Sequence, residues 1–564
     1  MRPRLVGQRI RLRYLAVALV VMALVVWASV SSSAAEGASA SSVVISHDQG
    51  SWWPKVKFGA KDTTSFKDKQ QQYESEEQRR LFELIGKTST PSKGQTKFLT
   101  AVFDLLAAAK PRASKLDHYP SKERIYHARF DSTDDHQETF DENYLSRFLQ
   151  LDSAQLTKMK QSHSMVVDKL PETAPSGLYN GDGIVYVGGG KFNWLTLLSI
   201  KALRDLGCQI PVEVLIPKTE EFESELCGTI LPRYDARCIH MPSMLPATAR
   251  EQFKFKGYQY KVLAILLSRF ENVLLLDSDN FAVRDPSHLF TEEPFTSKGL
   301  IVWPDFWKRA TSPAYYKIAG VEPSVEEIYP KYNELSGKYE YQAVPEGVDM
   351  LSDFPLHERK YAIPDPTSES GQLMISKKSH IKPLLLALYY NLYGPEYYYP
   401  LFSQGSDGEG DKETFLAATV VTRKPFYQVG KFLDALGFLD DGNFVGTGMG
   451  QHDPVSDYQY QRAQSDHQAE MMFVHANFPK LDPYMLRKER KYFDSNGQRV
   501  RLYGTGMKVR AGYDFELVQW NNMYQFLCED KVKLQHYEFV ERDKLCKEIG
   551  LHIQFLKASA HNLE

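Results

Sequence analysis

The sequence predicts an α/β fold in which short apolar strands alternate with helices and carry polar residues to one edge of a sheet. Two stretches support this prediction. Residues 181–190 form a short apolar run that ends in three glycines and is followed by a helical pattern. In residues 262–280 a helical pattern leads into the apolar run 273–276, which ends at Asp277 and Asp279. Because open α/β sheets bind ligands at the carboxyl ends of their strands, both strand ends are candidate functional positions.

Asp277 and Asp279 are the first candidate site residues. They lie two positions apart, so on an extended chain their side chains share one face, and carboxylate oxygens suit a hard divalent cation such as Mn²⁺ or Mg²⁺. An acidic pair with a bound cation can in turn hold a diphosphate. The alternative is that one aspartate caps a turn, but the position directly after a buried run favours a metal site.

Gly188, Gly189 and Gly190 form the turn after the first strand. Glycine lets the backbone approach a nucleotide closely, and the N-terminus of the following helix favours a phosphate. The turn lacks both G-x-G-x-x-G and G-x-x-x-x-G-K-[ST], which argues against a dinucleotide cofactor and against a P-loop kinase. A plain tight turn remains the alternative.

The remaining strands are predicted in order along the chain. They cover residues 212–216, 238–240, 299–304, 373–375 and 470–474. The strand at 373–375 follows the polar stretch 367–372. The helix that begins near 410–415 comes before the strand at 470–474. That last strand ends at His475, a position where a third metal ligand could lie.

The N-terminal residues predict a membrane anchor. Five arginines precede the apolar run 15–30, which is the positive-inside pattern. We therefore expect a cytoplasmic tail at 1–13, a transmembrane signal anchor at 14–30 and a stem at 31–68, with the bulk of the chain in the secretory lumen. A signal peptide cleaved near Ala38-Ser39-Ala40 is the competing interpretation.

Two larger regions follow the stem. Helical periodicity with many charges predicts a helical collar at 69–170, and the α/β pattern predicts a catalytic domain at 171–564. The composition, 43% hydrophobic and 25% charged, is that of a globular protein. The net charge of -3 gives no electrostatic reason to expect a nucleic acid partner.

Five cysteines leave at least one without an intramolecular partner. Cys227 with Cys238, and Cys528 with Cys546, are close enough in sequence to close short loops in an oxidising lumen. Cys208 follows a predicted helix and is expected to be a buried thiol.

An ordered set of motifs resembles the fungal Golgi α-1,2-mannosyltransferases, which branch the mannan outer chain of N-glycans. The set is Gly188-Gly189-Gly190-Lys191, Phe253-Lys254-Phe255-Lys256-Gly257-Tyr258-Gln259-Tyr260-Lys261, Asp277-Ser278-Asp279-Asn280, Trp303-Pro304-Asp305-Phe306-Trp307, Ser368-Glu369-Ser370-Gly371-Gln372, Gly410-Asp411-Lys412-Glu413-Thr414-Phe415 and Val474-His475-Ala476-Asn477.

The resemblance implies a GT-A glycosyltransferase fold with a Rossmann-like mixed sheet, GDP-mannose as donor and Mn²⁺ or Mg²⁺ as cofactor. It also implies a single-pass type II Golgi membrane protein that acts on α-mannan or N-glycan acceptors and has other mannosyltransferase subunits as further partners.

The resemblance also implies roles for individual residues. Asp277, Asp279 and His475 would bind the metal, and Gly188, Gly189, Gly190, Lys256, Lys261 and Asp277 would bind the donor. Glu369 and Asp411 are candidates for positioning the acceptor or stabilising an oxocarbenium-like centre, with a turn or cap carboxylate as the alternative for each. Trp303, Asp305, Trp307 and Gln372 are candidates for contact with the acceptor sugar.

Three other functions stay open at this point. An α-1,3 linkage or another nucleotide-sugar is the nearest rival to α-1,2 transfer from GDP-mannose. A non-catalytic glycan-binding protein could retain the fold without turnover. A metal-dependent phosphohydrolase could use paired aspartates, and it would hydrolyse GDP-mannose without dependence on an acceptor.

Overall fold

A seven-stranded mixed sheet and a smaller antiparallel sheet organise the chain in a computed structural model. The structure describes residues 63–120, 124–125, 128–130, 138–333, 338–340, 344–406, 408–461 and 469–562. The strands are β1 (Asp182–Val187), β2 (Val212–Ile216), β3 (Ala236–His240), β4 (Asn272–Leu276), β5 (Asn280–Ala282), β6 (Leu300–Pro304), β7 (Lys331–Asn333), β8 (Lys338–Glu340), β9 (Ser368–Ser376), β10 (Tyr427–Gln428), β11 (Asp434–Asp440), β12 (Asn443–His452) and β13 (Met471–His475).

Helices cover both faces of the larger sheet. The α-helices of the described residues are Thr63–Thr88, Lys93–Ala108, Glu142–Leu145, Ser153–Lys169, Phe192–Asp205, Met241–Met244, Ala247–Gln252, Gln259–Leu267, Phe295–Lys298, Pro313–Ala319, Lys377–Leu392, Tyr399–Ser403, Thr414–Val421, Pro454–Gln461, Pro483–Lys488, Met507–Ala511, Phe515–Tyr524 and Arg542–Ala558.

The order of the larger sheet is β10-β6-β9-β4-β1-β2-β3. Strand β9 runs antiparallel to both of its neighbours, and every other pairing in this sheet is parallel. The carboxyl ends of six strands and the amino end of β9 therefore lie at one edge. The mixed sheet is the α/β arrangement that the sequence predicts.

Strand β4 is buried on both of its faces, as is usual for a parallel strand with helices on either side. Residues 273–276 have no exposed surface. Val273 and Leu275 belong to one apolar core, whereas Leu274 and Leu276 belong to the core on the opposite face. This explains why β4 appears in the sequence as an unbroken apolar run rather than as an alternating one.

The smaller sheet has the order β11-β12-β13-β5 and is antiparallel throughout. Strand β5 begins at Asn280, directly after Asp279, so the chain leaves the larger sheet and enters the smaller one within the acidic turn. In the register of β13 with β5, His475 pairs with Asn280. Strand pairing therefore brings a residue from late in the chain to the end of β4.

The N-terminal helices add to the cores of the sheet. Residues 79–564 form one compact unit, and Leu99, Phe103 and Met159 belong to the same apolar core as Val273. The first described helix begins at Thr63, within the segment predicted as stem.

The predicted tail (1–13), anchor (14–30) and stem up to residue 62 lie outside the described residues. Among the helices that the structure does describe, none combines the length and the apolar character that a bilayer crossing requires.

Candidate active site

The end of β4 and the start of β5 fix the two aspartates. The Asp277 N–H donates to the carbonyl of Gly371 (2.8 Å), and the Asn280 N–H donates to the carbonyl of Asp277 (2.9 Å), which closes a tight turn. The side chain of Asn280 bonds the Gly371 carbonyl (2.9 Å) as well. Asp279 is only 3% exposed. Strand β9 thus holds the acidic turn in place through backbone contacts.

His475 completes a cluster of three side chains with these aspartates. One ligand atom each from Asp277, Asp279 and His475 lies within 4.8 Å of the other two. His475 Nε2 is 3.4 Å from Asp279 Oδ1, and the Ala476 N–H donates to the carbonyl of Asp279 (2.9 Å). Two carboxylates and one imidazole are a donor set that fits Mn²⁺ or a similar divalent cation. The three residues that the resemblance implies as ligands are therefore placed together.

The electrostatics of His475 follow from its neighbours. Burial alone would lower the pKa of His475, but Asp279 and Glu369 outweigh this effect and raise it to about 10. Burial also opposes ionisation of Asp279, yet His475 and Lys480 hold the pKa of that carboxyl well below its usual range. Because a metal binds neutral imidazole, a proton has to leave His475 when a cation enters.

Two lysines pair with the aspartates. Lys261 Nζ donates to Asp277 Oδ2 at 2.8 Å, and Lys480 Nζ bonds Asp279 Oδ2. The side chain of Lys480 is 35% exposed, whereas that of Lys261 is 13% exposed. Lys480 is therefore the more accessible of the two cations.

Glu369 lies beside His475 rather than in an open position. Its Oε1 accepts the Gly371 N–H (2.6 Å) and is 3.6 Å from His475 Nδ1. Burial raises the pKa of Glu369, but His475 outweighs it and lowers the pKa to about 2. A carboxylate at this place orients the imidazole toward the aspartates. We assign Glu369 as a positioning residue for His475, and its role toward the acceptor or an oxocarbenium-like centre stays a prediction.

Gly371 allows this close approach. A Cβ atom at this position would lie 2.6 Å from His475 Nδ1 and 2.7 Å from its Cε1. The imidazole ring therefore rests directly over the glycine backbone, and any larger residue would displace it.

Asp411 is also placed behind the cluster. It is 2% exposed, and its Oδ1 accepts from Ser370 Oγ (3.2 Å). Lys261 Nζ donates to that same hydroxyl (3.1 Å) and to the Ser370 carbonyl (3.0 Å). Burial raises the pKa of Asp411 to about 6 against the opposing charge of Lys261. Asp411 therefore helps to position Lys261, and its role toward the acceptor or an oxocarbenium-like centre stays a prediction.

The glycine turn after β1 corrects part of the predicted donor site. The Gly188 N–H donates to the carbonyl of Leu215 (2.9 Å), and the Gly189 N–H donates to Asn193 Oδ1 (2.7 Å). These two amides are therefore engaged within the fold and do not face a phosphate. Gly189 has a φ of +101°, and a Cβ there would lie 2.6 Å from Glu221 Oε2. The glycines allow a tight turn, the alternative that the sequence left open, and Gly190 continues it with a φ of +53°.

Two further predicted contacts, with the acceptor sugar, are corrected by burial. Trp303 has no exposed surface, and its indole donates to the carbonyl of His452 (2.7 Å). Gln372 is also fully buried and accepts from Asn280. Both belong to the interior, so neither presents a surface to a sugar. Lys256 has an exposed side chain, and its backbone N–H donates to Gln259 Oε1 (2.9 Å), so its contact with the donor stays a prediction. Of the two lysines, Lys261 is the one that reaches the aspartates.

Asp305 and Trp307 lie at the same edge as the cluster, after β6. Asp305 pairs with Lys412 (2.7 Å) and accepts the Phe306 N–H (2.7 Å). Trp307 is half-buried and lines two adjoining cavities. Of the four predicted acceptor residues, Trp307 is the one that presents a surface to open space.

Disulfide bonds join Cys227 to Cys238 and Cys528 to Cys546, the two pairs expected from the sequence. Cys208 is a buried free thiol.

Lys480 is the principal site residue that sequence reasoning missed. Nothing in its local pattern marks it, because it lies in a loop after β13 and reaches Asp279 only through the fold. The one signal that could have found Lys480 is its position shortly after His475 in the sequence. Ser370 was quoted within a motif but given no role, although its hydroxyl and carbonyl hold Lys261.

Comparisons with known proteins identify the family of this chain. A family model described as "Mannosyltransferase putative" matches residues 181–453. The α-1,2-mannosyltransferase MNN21 of Candida albicans is 55% identical over 495 residues, which cover 82% of this chain and 75% of the relative. The α-1,2-mannosyltransferase MNN2 of Saccharomyces cerevisiae is 36% identical over 510 residues, which cover 82% and 85%.

Among solved structures, the glycosyltransferase GlyE of Streptococcus pneumoniae matches with 12% identity and a TM-score of 0.25. The match covers 45% of each chain, and with so low a TM-score it carries no argument about this protein.

Proposed function

The chain belongs to the fungal α-1,2-mannosyltransferase family, and from that premise we propose that it transfers mannose from GDP-mannose to an α-mannan or N-glycan outer-chain acceptor. The new bond is an α-1,2 linkage formed with retention of configuration. The observation that carries the proposal is the cluster of Asp277, Asp279 and His475 at the carboxyl edge of the larger sheet. Family membership makes the chain a glycosyltransferase, while the donor, the metal and the acceptor are parts of the proposal.

The proposed fold is of the GT-A type. A mixed sheet, an acidic turn at the end of β4 and a second antiparallel sheet that supplies His475 support this proposal. In this arrangement, ligands lie at the edge where the parallel strands end.

Mn²⁺ or Mg²⁺ would be held by Asp277, Asp279 and His475. When bound, such a cation supplies positive charge that stabilises the departing diphosphate. Two carboxylate oxygens and a buried imidazole, with Glu369 behind the ring, match the ligands and the supporting contacts that such a site needs.

The chain's own lysines add to this charge. Lys480 bonds Asp279 and is partly exposed, so it can turn to a phosphate oxygen without leaving the site. Lys261 is fixed by Asp277 and Ser370 and contributes a steady positive charge next to the aspartates. Lys480 is therefore the mobile cation of the site, and Lys261 is the fixed one.

Retention of configuration is compatible with the contacts of the two other carboxylates beside the cluster. Glu369 is engaged with His475 and with the Gly371 N–H, and Asp411 is engaged with Ser370. A retaining transfer from an α-linked donor does not require the enzyme to supply a base to the acceptor hydroxyl. These two carboxylates support the metal ligand and Lys261 instead.

We further propose that the protein is a single-pass type II protein of the Golgi membrane with a luminal catalytic region, which works beside other mannosyltransferase subunits. The arginines before the apolar run 15–30 support the orientation.

Incubation of the full chain in detergent with GDP-mannose, Mn²⁺ and an α-1,6-linked mannose oligomer tests the proposed function. We expect release of GDP that depends on the acceptor, and an α-1,2-linked mannose in the product by linkage analysis. Asp279→Ala should abolish transfer, whereas Asp168→Ala, which removes an exposed helical carboxylate, should leave it unchanged.

Each other result contradicts part of the proposal. An α-1,3 linkage would replace the assigned linkage. Release of GDP without dependence on acceptor would indicate a phosphohydrolase. Binding of the oligomer without turnover would indicate a glycan-binding protein, and full transfer by Asp279→Ala would remove the assigned role of that residue.

A further inference from the structure

A cavity of about 290 Å³ opens next to the metal cluster, between the loop after β6 and the hairpin of β11 and β12. We call it the hairpin groove and define it by six lining residues, Phe306, Trp307, Phe444, Met449, Asn477 and Phe478. Its volume is at the lower end of the range of small-molecule sites, roughly 300–1,000 Å³. Of the candidate site residues, Trp307 is the one that lines this cavity.

The groove lies near the metal cluster. Strand β12 pairs with β13 in a register that places Met449 opposite His475. Asn477 and Phe478 follow His475 in the chain by two and three residues, so they lie within roughly 7–11 Å of it. A molecule bound in the groove would therefore lie close to the proposed site of transfer.

The strand order separates the groove from the nucleoside side of the site. Strands β1 and β2 lie on one side of β4, whereas β9 and β6 lie on the other. The groove begins at the loop after β6, on the β9 and β6 side. A donor whose diphosphate lies at Asp277 and Asp279 can extend its nucleoside toward β1 and β2, which leaves the groove for the second substrate.

The walls of the groove are held rigidly. The Phe130 N–H donates to the carbonyl of Phe306 (2.7 Å), and the Lys308 N–H donates to the carbonyl of Ala128 (2.9 Å). The ring of Phe432 packs against those of Phe130 and Phe306, with centroids 5.8 and 6.3 Å apart. The loop after β6 is therefore ordered before any ligand arrives, which reduces the entropy lost on binding.

The surface of the groove combines aromatic faces with few polar groups. Phe444 is 55% exposed and Phe478 is 62% exposed, and the ammonium group of Lys491 lies 4.8 Å from the centroid of the Phe478 ring. Asn477 adds an exposed amide. Among the lining residues Arg129 is the one that carries charge, and its guanidinium stacks on Phe306 at 5.4 Å. The surface therefore suits a neutral ligand with C–H faces and hydroxyl groups rather than an anion.

The hairpin leaves open space in the groove beside Gly446. At Gly446, which also lines the cavity, a Cβ would meet nothing closer than a ring carbon of Phe444 at 3.8 Å. A strand residue with a bulky side chain there would fill space beside the exposed ring.

We propose that the hairpin groove binds the mannose units of the acceptor chain that flank the unit receiving the new sugar. This inference rests on the proposed function, because it assigns a place to the acceptor of that reaction. The enzyme then recognises a stretch of α-mannan rather than a single mannose, and Phe444 and Phe478 are its platforms for successive sugar rings.

The test compares two acceptors with the full chain in detergent: methyl α-mannoside, which has one ring, and an α-1,6-linked mannose pentamer. In Phe444→Ala and Phe478→Ala the KM for the pentamer should rise about five- to tenfold, the loss that one aromatic contact represents. The KM for methyl α-mannoside and kcat with either acceptor should stay within about twofold of the unaltered chain.

Leu439→Ala is the matched control. Leu439 lies on the same hairpin and is 69% exposed, but it does not line the groove. Its KM for the pentamer should not change. The affinity for GDP in the presence of Mn²⁺ should also be unchanged in all three variants, which shows that the donor side is intact.

Two outcomes overturn the inference: pentamer KM values in the phenylalanine variants no higher than in Leu439→Ala, or equal losses for the pentamer and methyl α-mannoside. Failure of the proposed function gives a different result, since the unaltered chain would then transfer mannose to neither acceptor. Binding of the pentamer, measured by calorimetry without donor and weakened by Phe478→Ala, supports the groove even in that case.

Discussion

At the scale of single residues, the site is an arrangement of four carboxylates, one imidazole and two lysines whose charges offset one another. Asp279 pairs with both His475 and Lys480, and Asp277 pairs with Lys261. Glu369 and Asp411 lie behind His475 and Lys261. Each carboxylate thus has a cationic neighbour, and a divalent cation that enters the site competes with one of them.

Lys480→Met should raise the affinity of the donor-free enzyme for Mn²⁺ about fivefold, because an ammonium group no longer competes for Asp279. The same variant should bind GDP more weakly in saturating Mn²⁺, since a positive charge near the diphosphate is lost. Free Mn²⁺ measured by electron paramagnetic resonance and GDP measured by calorimetry give the two values. Lys480→Arg keeps the charge and is the control. Weaker Mn²⁺ binding by Lys480→Met would contradict the competition.

Affinity for Mn²⁺ should rise with pH. The pKa of His475 is raised to about 10 by Asp279 and Glu369 against the effect of burial, so below pH 10 a bound proton has to leave the ring. One displaced proton predicts an increase of about tenfold per pH unit between pH 6 and 8. Calorimetry in two buffers with different ionisation enthalpies should show about one proton released per metal ion. An affinity independent of pH would show that His475 is not a ligand.

At the scale of secondary structure, β9 supports the site by lying between β6 and β4 and by carrying Glu369, Ser370 and Gly371 at its amino end. Its antiparallel direction places that end at the same edge as the carboxyl end of β4. The backbone of Gly371 is in contact both with the acidic turn and with the ring of His475.

Gly371→Ala should weaken Mn²⁺ binding by at least tenfold while the chain stays folded, because the added methyl group would lie 2.6 Å from His475 Nδ1 and would turn the ring away. Gly550→Ala is the matched control, since nothing lies within 4 Å of a Cβ at that helical position. Thermal unfolding of both variants, followed by circular dichroism, checks the fold. Normal Mn²⁺ affinity in Gly371→Ala would mean that the ring has room to move.

The same elements show what the sequence could and could not predict. The strands β1 and β4 are visible because a buried parallel strand is a continuous apolar run. Only residues 373–375 of β9 were predicted as strand, because residues 368–372 are polar and become a strand through pairing with β6. The hairpin of β11 and β12 was not predicted, since glycines at 446, 448 and 450 break the alternating pattern.

The residues of the candidate site also divide into those visible in the local sequence pattern and those that depend on non-local contacts. Asp277 and Asp279 were found from local pattern. His475 was a candidate from its position at a predicted strand end, and the resemblance was needed to join it to the aspartates, because its register with β5 is a non-local contact. Burial of Trp303 and Gln372, and the internal bonds of the Gly188 and Gly189 amides, depend on tertiary packing that no sequence pattern specifies.

At the scale of the whole molecule, residues 79–564 form one compact unit with apolar cores on both faces of the larger sheet. The disulfide between Cys528 and Cys546 closes a loop with a sequence separation of 18 near the end of the chain, and the helix Arg542–Ala558 contains Cys546. That helix contributes Leu545, Ile549 and Leu556 to one of the cores.

The double variant Cys528→Ser with Cys546→Ser should lower the free energy of unfolding by about 3 kcal/mol, because the unfolded chain regains the entropy of the closed loop. Affinity for Mn²⁺ should be unchanged, since the loop carries no ligand of the cluster. Denaturant unfolding and Mn²⁺ titration measure the two effects. Unfolding at the same denaturant concentration as the parent chain would show that the bond adds no stability.

The acidic turn joins the two sheets, because β4 ends before Asp277 and β5 begins after Asp279. An ion bound between this turn and the end of β13 would hold the two sheets together. Loading the enzyme should therefore slow cleavage by a protease throughout the C-terminal third of the chain, far from the place where the ion sits. Supply of the divalent cation in the compartment would then govern not only turnover but also how long the protein survives.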